Sequence, residues 1–210
     1  MRSFWRLSTR MISGPARQEA RKSLGLPSET FVAVNHGRID IRRKGLDVLL
    51  KAWSSFSGDA SSELVIIGSG KDRDKFARLL SEAGLPNVRW LSDYTTDRSL
   101  IRHWLSAADA YVTTSRIEGM PVAPLEAMAC SLPIVATDAQ GLPDILANGQ
   151  ESGGLMVRKD QPEETAHALK RLKHDLHLRE RLGRAARKRI EENFSLAAVA
   201  AALDCLLTRR

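Results

Sequence analysis

The chain has 210 residues, 43% of them apolar, and a formal net charge of +7 at neutral pH. That length suits one large domain, or one domain with extensions, with enough apolar residues to bury a core. No stretch approaches the roughly 18 unbroken apolar residues of a membrane span, the opening MRSFWRLSTRMISG has no secretory-type apolar run, and Cys130 and Cys205 lie too far apart, in unlike contexts, to form a metal or redox motif.

Periodicity is weak until ARQEARKSLGLP, a short amphipathic helix closed by Gly25 and Pro27. FVAVNHG (31–37) then reads as a buried strand running into a glycine, and KGLDVLLKAWSSF (44–56) carries apolar residues at helical spacing. ELVIIGSG (63–70) is a second strand, DRDKFARLLSEAG (72–84) a helix, and NVRWLSD (87–93) a third strand. A helix over 97–108 follows, with Thr95 or Thr96 as its N-cap. DAYVTTS (109–115) is the fourth strand, and EGMPVAPLEAMA turns from it into a helix ending near Cys130. LPIVATD (132–138) and GGLMV (153–157) are strands five and six, separated by a short helix around Leu142 to Ala147. A helix at 161–175 has Pro162 in its first turn, where the missing N–H is harmless. A basic helix to about Glu192 and the apolar LAAVAAALDCLL (196–207) complete the chain.

Six short apolar strands alternating with helices define an α/β fold: a doubly wound, Rossmann-like, parallel six-stranded sheet flanked by helices. Crossovers in such sheets are right-handed, and ligands bind beyond the carboxyl ends of the strands at the point where strand order reverses. The unusual residues of this sequence gather at those ends: Gly37 and Arg38 after strand one, Gly68 and Gly70 after strand two, Ser115 to Pro121 after strand four, Asp138 to Gly141 after strand five.

Several chemistries fail on spacing. GSGKDR opens like a dinucleotide loop, but Arg73 stands at the third glycine, and neither a Gly-x4-Gly-Lys-Ser/Thr loop nor a Gly-x-Ser-x-Gly elbow is present. Of the five histidines, only His174 and His177 share a helix face, without further ligands, so no metal site is expected. What remains is cationic and acidic. Arg38 and Lys44 bracket a diphosphate position, the arginine as a fork and the lysine as a point charge. A helix starting near Pro121 offers free N–H groups to an anion; Pro121 and Pro124 have none, so the donors are Met120, Val122 and Ala123. Glu118 and Glu126, eight positions apart, flank that helix start and reach different parts of a ligand, Glu126 facing ribose hydroxyls.

From about Gly25 to Phe194 the chain resembles the C-terminal, donor-binding domain of GT-B glycosyltransferases of the family-four, group 1 type. GRIDIRRKGLDVLLKAW, ELVIIGSG with NVRWLSD, EGMPVAPLEAMACSLPIVATD and GLPDILANGQESGGLMV carry the resemblance. It implies one half of a GT-B fold that binds a UDP-, GDP- or ADP-linked sugar for glycosyl transfer with retention, without a required metal or other cofactor, in polysaccharide or glycolipid synthesis. It also implies roles. Arg38 and Lys44, beside Gly37, are the diphosphate ligands, and Glu118 orients the transferred sugar at the reacting centre. The backbone of Met120, Pro121, Val122 and Ala123 lies against sugar and phosphate, Glu126 holds the ribose, and Leu91 and Ser92 lie near the base. Ser92 and Asp144 replace a common glycine and a common glutamate of the family.

The implied organisation is an N-terminal extension or interdomain remnant (1–24), a nucleotide-sugar-binding domain (25–194) and a C-terminal helix (195–210) that crosses to an acceptor-binding domain or separate subunit. This chain alone is then inactive or weakly active, and cytoplasmic, with anionic membrane as a peripheral contact through 170–189. That segment carries nine lysines and arginines against two acids. The alternative reading makes the same segment the working part, a basic membrane- or nucleic-acid-binding module on an inherited fold without catalysis. Under the first reading no nucleic-acid partner is expected.

Overall fold

A computed structural model describes residues 14–56, 61–93 and 97–208. In chain order its elements are α1 (Gly14–Ser23), β1 (Phe31–His36), α2 (Ile41–Lys44), α3 (Leu46–Phe56), β2 (Ser62–Ile67), α4 (Arg73–Ala83), β3 (Val88–Leu91), α5 (Arg98–Ala107) and β4 (Ala110–Thr113). There follow α6 (Val122–Ala129), β5 (Ile134–Thr137), α7 (Leu142–Ile145), a 3-10 turn (Gly149–Ser152), β6 (Gly154–Val157), α8 (Pro162–His174), α9 (Leu176–Asn193) and α10 (Leu196–Thr208). All six strands are parallel, in the order β3-β2-β1-β4-β5-β6. The doubly wound Rossmann-like sheet read from the sequence is therefore the observed fold.

Every residue of β1, β4 and β5 is buried, as expected of strands covered on both faces. Alternate residues feed two separate cores. Val32 and Val34 of β1 point into one, with Trp104 and Leu105 of α5, Met128 of α6 and Ile190 of α9. Phe31 and Ala33 point into the other, with Leu49 and Trp53 of α3, Phe76 of α4 and Leu169 and Leu172 of α8. Trp53 is fully buried, and its indole N–H donates to Asn87 Oδ1 at 3.2 Å.

Several boundaries differ from the sequence expectation, for local reasons. The helix expected over 44–56 begins at Leu46, as α3, and Lys44 belongs to a separate short helix before it, α2. Asp40 caps α2 by accepting from the Arg43 N–H at 3.1 Å, and Gly45, at φ +60°, ends it. A Cβ at Gly45 would lie 2.0 Å from the Thr114 carbonyl oxygen, so only glycine lets this corner press against the end of β4. Lys44 accordingly ends α2 instead of opening α3. Helix α5 is capped by Asp97, whose carboxylate accepts from the Ser99 and Leu100 N–H groups; Thr95 and Thr96 lie outside the described residues. The 3-10 turn before β6 had no counterpart in the sequence reading.

The amino-terminal ends of the strands are tied together by Asp109. Buried just before β4, its carboxylate accepts from the Val32 N–H of β1 at 2.8 Å and from Arg21 of α1 at 2.5 Å, and it also pairs with Arg17. Arg21 donates in addition to the Ala107 carbonyl at 2.9 Å. Helix α1 is thus joined to the packed body, which extends upstream of Gly25. Arg179 of α9 stands 3.5 Å from the same carboxylate. Burial holds its guanidinium below the ordinary arginine value, Asp109 opposes that, and Arg17 and Arg21 add to it. Removing the carboxylate strands a buried cation and a strand N–H. Asp109→Ala is expected to lower unfolding free energy by about 3–5 kcal/mol in urea titrations; a loss under about 1 kcal/mol would show that the arginines relax without it.

Candidate functional site

Strand order reverses between β1 and β4, so the loops leaving their carboxyl ends diverge and open a crevice. On the β1 side the chain passes Gly37, at φ +143°, into Arg38. Gly68 beyond β2 packs directly against it: a Cβ there would stand 2.0 Å from the Gly37 carbonyl oxygen. The two glycines let the loops touch, and with Arg38, Ser69, Gly70, Lys71 and Ile101 they line an open recess of about 700 Å³. Arg38 is exposed and, among the described residues, makes no hydrogen bond or ion pair.

On the β4 side the chain runs through Thr113 to Glu118. The Arg116 and Ile117 N–H groups donate to the Arg43 carbonyl at 2.9 and 3.3 Å, which fixes this loop to α2. The Arg116 side chain strengthens the joint: it forks onto both carboxylate oxygens of Asp47, at 2.8 and 2.7 Å, and reaches Asp160 at 2.6 Å and the Arg42 carbonyl at 3.0 Å. With α2 and the loop locked together, Lys44 Nζ meets Glu118 Oε1 at 2.6 Å. The Ser115 hydroxyl donates to the same oxygen at 2.6 Å. Ser115 is held in turn by Thr137 of β5, which donates to its carbonyl at 2.5 Å. Both donors converge on Oε1 of a buried glutamate. Glu118 Oε2 has no hydrogen-bond partner among the described residues.

Helix α6 starts beside Glu118, with Pro121 at its N-cap and no capping side chain. Helix geometry leaves the Val122 and Ala123 N–H groups without partners in their own helix, facing outward with the positive end of the helix dipole. Gly141, at φ +84°, lets the next loop approach this turn: a Cβ there would lie 1.8 Å from the Gly119 carbonyl oxygen. One turn along α6, Glu126 Oε2 meets His36 Nε2 of β1 at 2.5 Å. An ionised carboxylate only accepts, so His36 Nε2 is the donor. The Glu126 Oε1 atom has no hydrogen-bond partner among the described residues.

The sequence-predicted residues divide on this geometry. Gly37, Arg38, Lys44, Glu118, Pro121, Val122 and Ala123 line one narrow recess with room for a few waters, together with His36 and Tyr111. Glu126 adjoins it through His36. Met120 is 61% exposed on the lip and does not line the recess. Leu91 and Ser92 line neither recess; the Leu91 carbonyl accepts the Gly68 N–H at 3.0 Å and so supports the glycine loop from behind. Sequence reasoning passed over His36 and Tyr111, and placed Ser115 and Arg116 at the ligand end of the sheet without giving either a role. The only signal for His36 was a histidine closing an otherwise apolar strand next to a glycine.

The basic segment 170–189 presents a different picture from a free cationic face. Arg187 donates to the Ala129 carbonyl and pairs with Glu191, Arg189 donates to the Ile145 carbonyl, and Arg181 donates to Gln150. Arg184 and Lys188 stand 3.8 Å from Glu180 and Glu192, one helical turn away. Among the described residues, no helix is long and apolar enough to cross a membrane.

The crevice thus lies at the switch point of a doubly wound sheet, where folds of this class place their ligands, and is flanked by two oriented glutamates. Comparison with known sequences names the family. The sequence profile of the glycosyl transferases group 1 matches residues 16–189, and the chain belongs to that family. It is 33% identical over 201 residues to alpha-maltose-1-phosphate synthase of Mycobacterium tuberculosis, covering 90% of this chain and 50% of that protein. It is 30% identical over 185 residues to the lipopolysaccharide core biosynthesis glycosyltransferase LpsD of Rhizobium meliloti, covering 88% of this chain and 51% of the other. The chain thus spans about half the length of these curated relatives. Among solved structures, the C-terminal domain of a group 1 glycosyl transferase family protein (LpcC) from Francisella tularensis superposes with a TM-score of 0.74 at 24% identity, over 86% of this chain and 93% of that one. HepE of Anabaena in complex with UDP superposes with a TM-score of 0.80 at 19% identity, over 96% and 56%. These two likenesses establish the shared fold.

The Arg116 joint has an acid signature. Burial pushes the Asp47 carboxyl upward, but the Arg116 hydrogen bonds and charge outweigh it and leave the group below its ordinary value of 3.8. A depressed carboxyl contributes stability above the unfolded value, and that contribution disappears as pH falls through the lower folded value. Arg116→Ala is expected to destabilise by about 1.5–3 kcal/mol at neutral pH. The gap from the parent should hold down to about pH 4 and close below it; a gap that persists into strong acid would mean that Asp47 does not supply it.

Proposed function

We propose that this chain is the donor-binding half of a retaining glycosyltransferase and holds a nucleoside-diphosphate sugar across the β1/β4 crevice. One observation carries the reading. Each of two glutamates on either side of the first turn of α6 has one carboxylate oxygen held by fixed donors and the other left to accept. A nucleotide sugar matches that pattern: two polyol rings, each with donor hydroxyls, separated by a dianionic diphosphate. Glu126 takes the ribose, Glu118 takes the transferred sugar, and the diphosphate lies between them at the Val122 and Ala123 N–H groups. The Anabaena HepE structures with UDP and with UDP-glucose show this ligand class in proteins of the same fold, and support a uridine donor as the first candidate.

The chemistry follows from where charge develops. As the bond from the anomeric carbon to the β-phosphate oxygen breaks, negative charge grows on the diphosphate. Arg38, Lys44 and the positive end of α6 are already in place to stabilise it, without reorganising at that moment. Lys44 remains useful although paired with Glu118, because an ammonium has three N–H groups and Glu118 takes one. The acceptor hydroxyl attacks the same face of the sugar, and its proton passes to the leaving phosphate oxygen, so configuration is retained. Glu118 orients the sugar and forms no bond to it.

The acceptor-binding surface is assigned to residues beyond this chain, either in the rest of a longer protein or in a separate subunit. Leu196, Val199, Leu203, Leu206 and Leu207 of α10, with Ile117, Met120 and Val122 on the lip of the crevice, are exposed apolar side chains suited to meeting it. The reading as a basic interaction module finds little support, because the α9 cations are engaged with carbonyls and carboxylates of their own domain.

A thermal-shift panel with UDP, GDP, ADP and their glucose and mannose conjugates tests the proposal. Ligand at a hundredfold excess over its dissociation constant adds about 2.7 kcal/mol of stability, a midpoint rise of roughly 5–10 °C for a domain of this size. The rise should appear with one base, shrink in Glu126→Ala and vanish in Lys44→Ala. No rise with any nucleotide, at concentrations up to the millimolar range, would contradict it.

A further inference from the structure

The His36–Glu126 pair joins two elements 90 residues apart in sequence. The end of β1 is also secured by its ladder to β2 and by Asn35, whose amide donates to the Val112 carbonyl of β4 at 2.8 Å, and α6 by its packing in the core. The pair is nevertheless built with care. The His36 side chain is 5% exposed and that of Glu126 15%. The ring of Tyr111 stands edge-on to the imidazole, with centroids 5.4 Å apart at 76°, and the Tyr111 hydroxyl donates to the His36 carbonyl at 3.2 Å. Burial pushes the Tyr111 phenol above its ordinary value, so it stays a neutral donor. His36 Nδ1 is buried without a partner among the described residues, so the contact to Glu126 through Nε2 is the ring's one hydrogen bond to them.

We infer that His36 is a positioning residue for donor binding: its Nε2–H holds Glu126 by Oε2, so that Oε1 is presented to the vicinal hydroxyls of the nucleotide ribose. This rests on the proposed function and adds a residue to it. A free glutamate on the first turns of a helix samples several rotamers and is hydrated in each. Holding one oxygen with a donor that cannot itself move removes that freedom before the ligand arrives, and the second oxygen is then ready to accept. His36 lines both recesses of the crevice, so the clamp sits at the junction between the space beyond Arg38 and the start of α6.

Isothermal titration with the nucleoside diphosphate that binds the parent chain among UDP, GDP and ADP, and with its 2′,3′-dideoxy counterpart, separates positioning from support of the fold. The parent should bind the ribose form roughly tenfold or more tightly than the dideoxy form. In His36→Leu that preference should collapse through loss of affinity for the ribose form, by roughly tenfold, with the dideoxy form unchanged. In His36→Gln, whose amide nitrogen reaches the place of Nε2, the preference should be largely restored. Equal weakening of both forms in His36→Leu, or no weakening of either, overturns the inference. Where His36→Leu does not fold, His36→Gln against His36→Asn makes the same comparison between two polar residues, of which only the longer reaches Glu126; equal ribose preference in the two overturns it. A parent that binds a diphosphate without ribose preference contradicts this inference and the ribose role of Glu126 but leaves diphosphate binding in the crevice standing, whereas a parent that binds none removes both.

Discussion

Crossovers in this sheet are constrained to one hand, so helices leaving β1 and helices leaving β4 must pack on opposite faces, and the two loops separate where they leave the sheet. Everything that makes this domain a binding domain emerges at that separation. Arg38 and Lys44 come from the chain after β1, Glu118 and Ser115 from the chain after β4, and the start of α6 closes the crevice from above. The opposite end of the sheet is closed by Asp109, which ties α1, β1 and α9 to the residue preceding β4. One end of the sheet is thus fastened by a buried charge cluster and the other opens into the β1/β4 crevice.

Close backbone approach at the open end depends on glycines with no room for a Cβ, Gly70 against Ile39 among them. Gly68 rests on Gly37, Gly45 on Thr114 and Gly141 on Gly119. Each brings two segments from different strand connections into contact. Within that frame two glutamates are each oriented through one carboxylate oxygen. Lys44 and Ser115 hold Glu118 by one oxygen, and His36 holds Glu126 by one oxygen. Such preorganised acceptors bind a polyol with little loss of side-chain freedom, and preorganised donors stabilise the charge of a departing diphosphate.

Much of this was legible in the residues alone. The parallel strands read as short apolar runs, the first two ending in glycine, and all six were placed within a few residues. Arg38, Lys44 and Glu118 were legible because each lies in the segment that follows a strand. The break between α2 and α3 was not, because a helix cap at Asp40 and a left-handed Gly45 look like ordinary loop and helix in a linear reading. His36 was hidden by its setting: a histidine at the end of FVAVNH reads as a core residue until Glu126 is brought to it across the fold. The basic run is the reverse case. Its charge was visible, but the carbonyls of Ala129 and Ile145 that engage part of it end α6 and α7, more than 40 residues away. Its pairings with Glu180, Glu191 and Glu192 were open to reading at helical spacing.

In the proposed function a nucleoside diphosphate occupies the β1/β4 crevice with its phosphates at the start of α6. Amide hydrogen exchange resolved by residue, with and without saturating nucleotide, tests it most directly. Val122 and Ala123 have N–H groups without helical partners and should exchange fast in the free chain. Bound phosphate should slow both by tenfold or more, with Gly37 and Arg38 following. Slowing confined to α8 and α9, with Val122 and Ala123 unchanged, would place the ligand elsewhere and contradict the account.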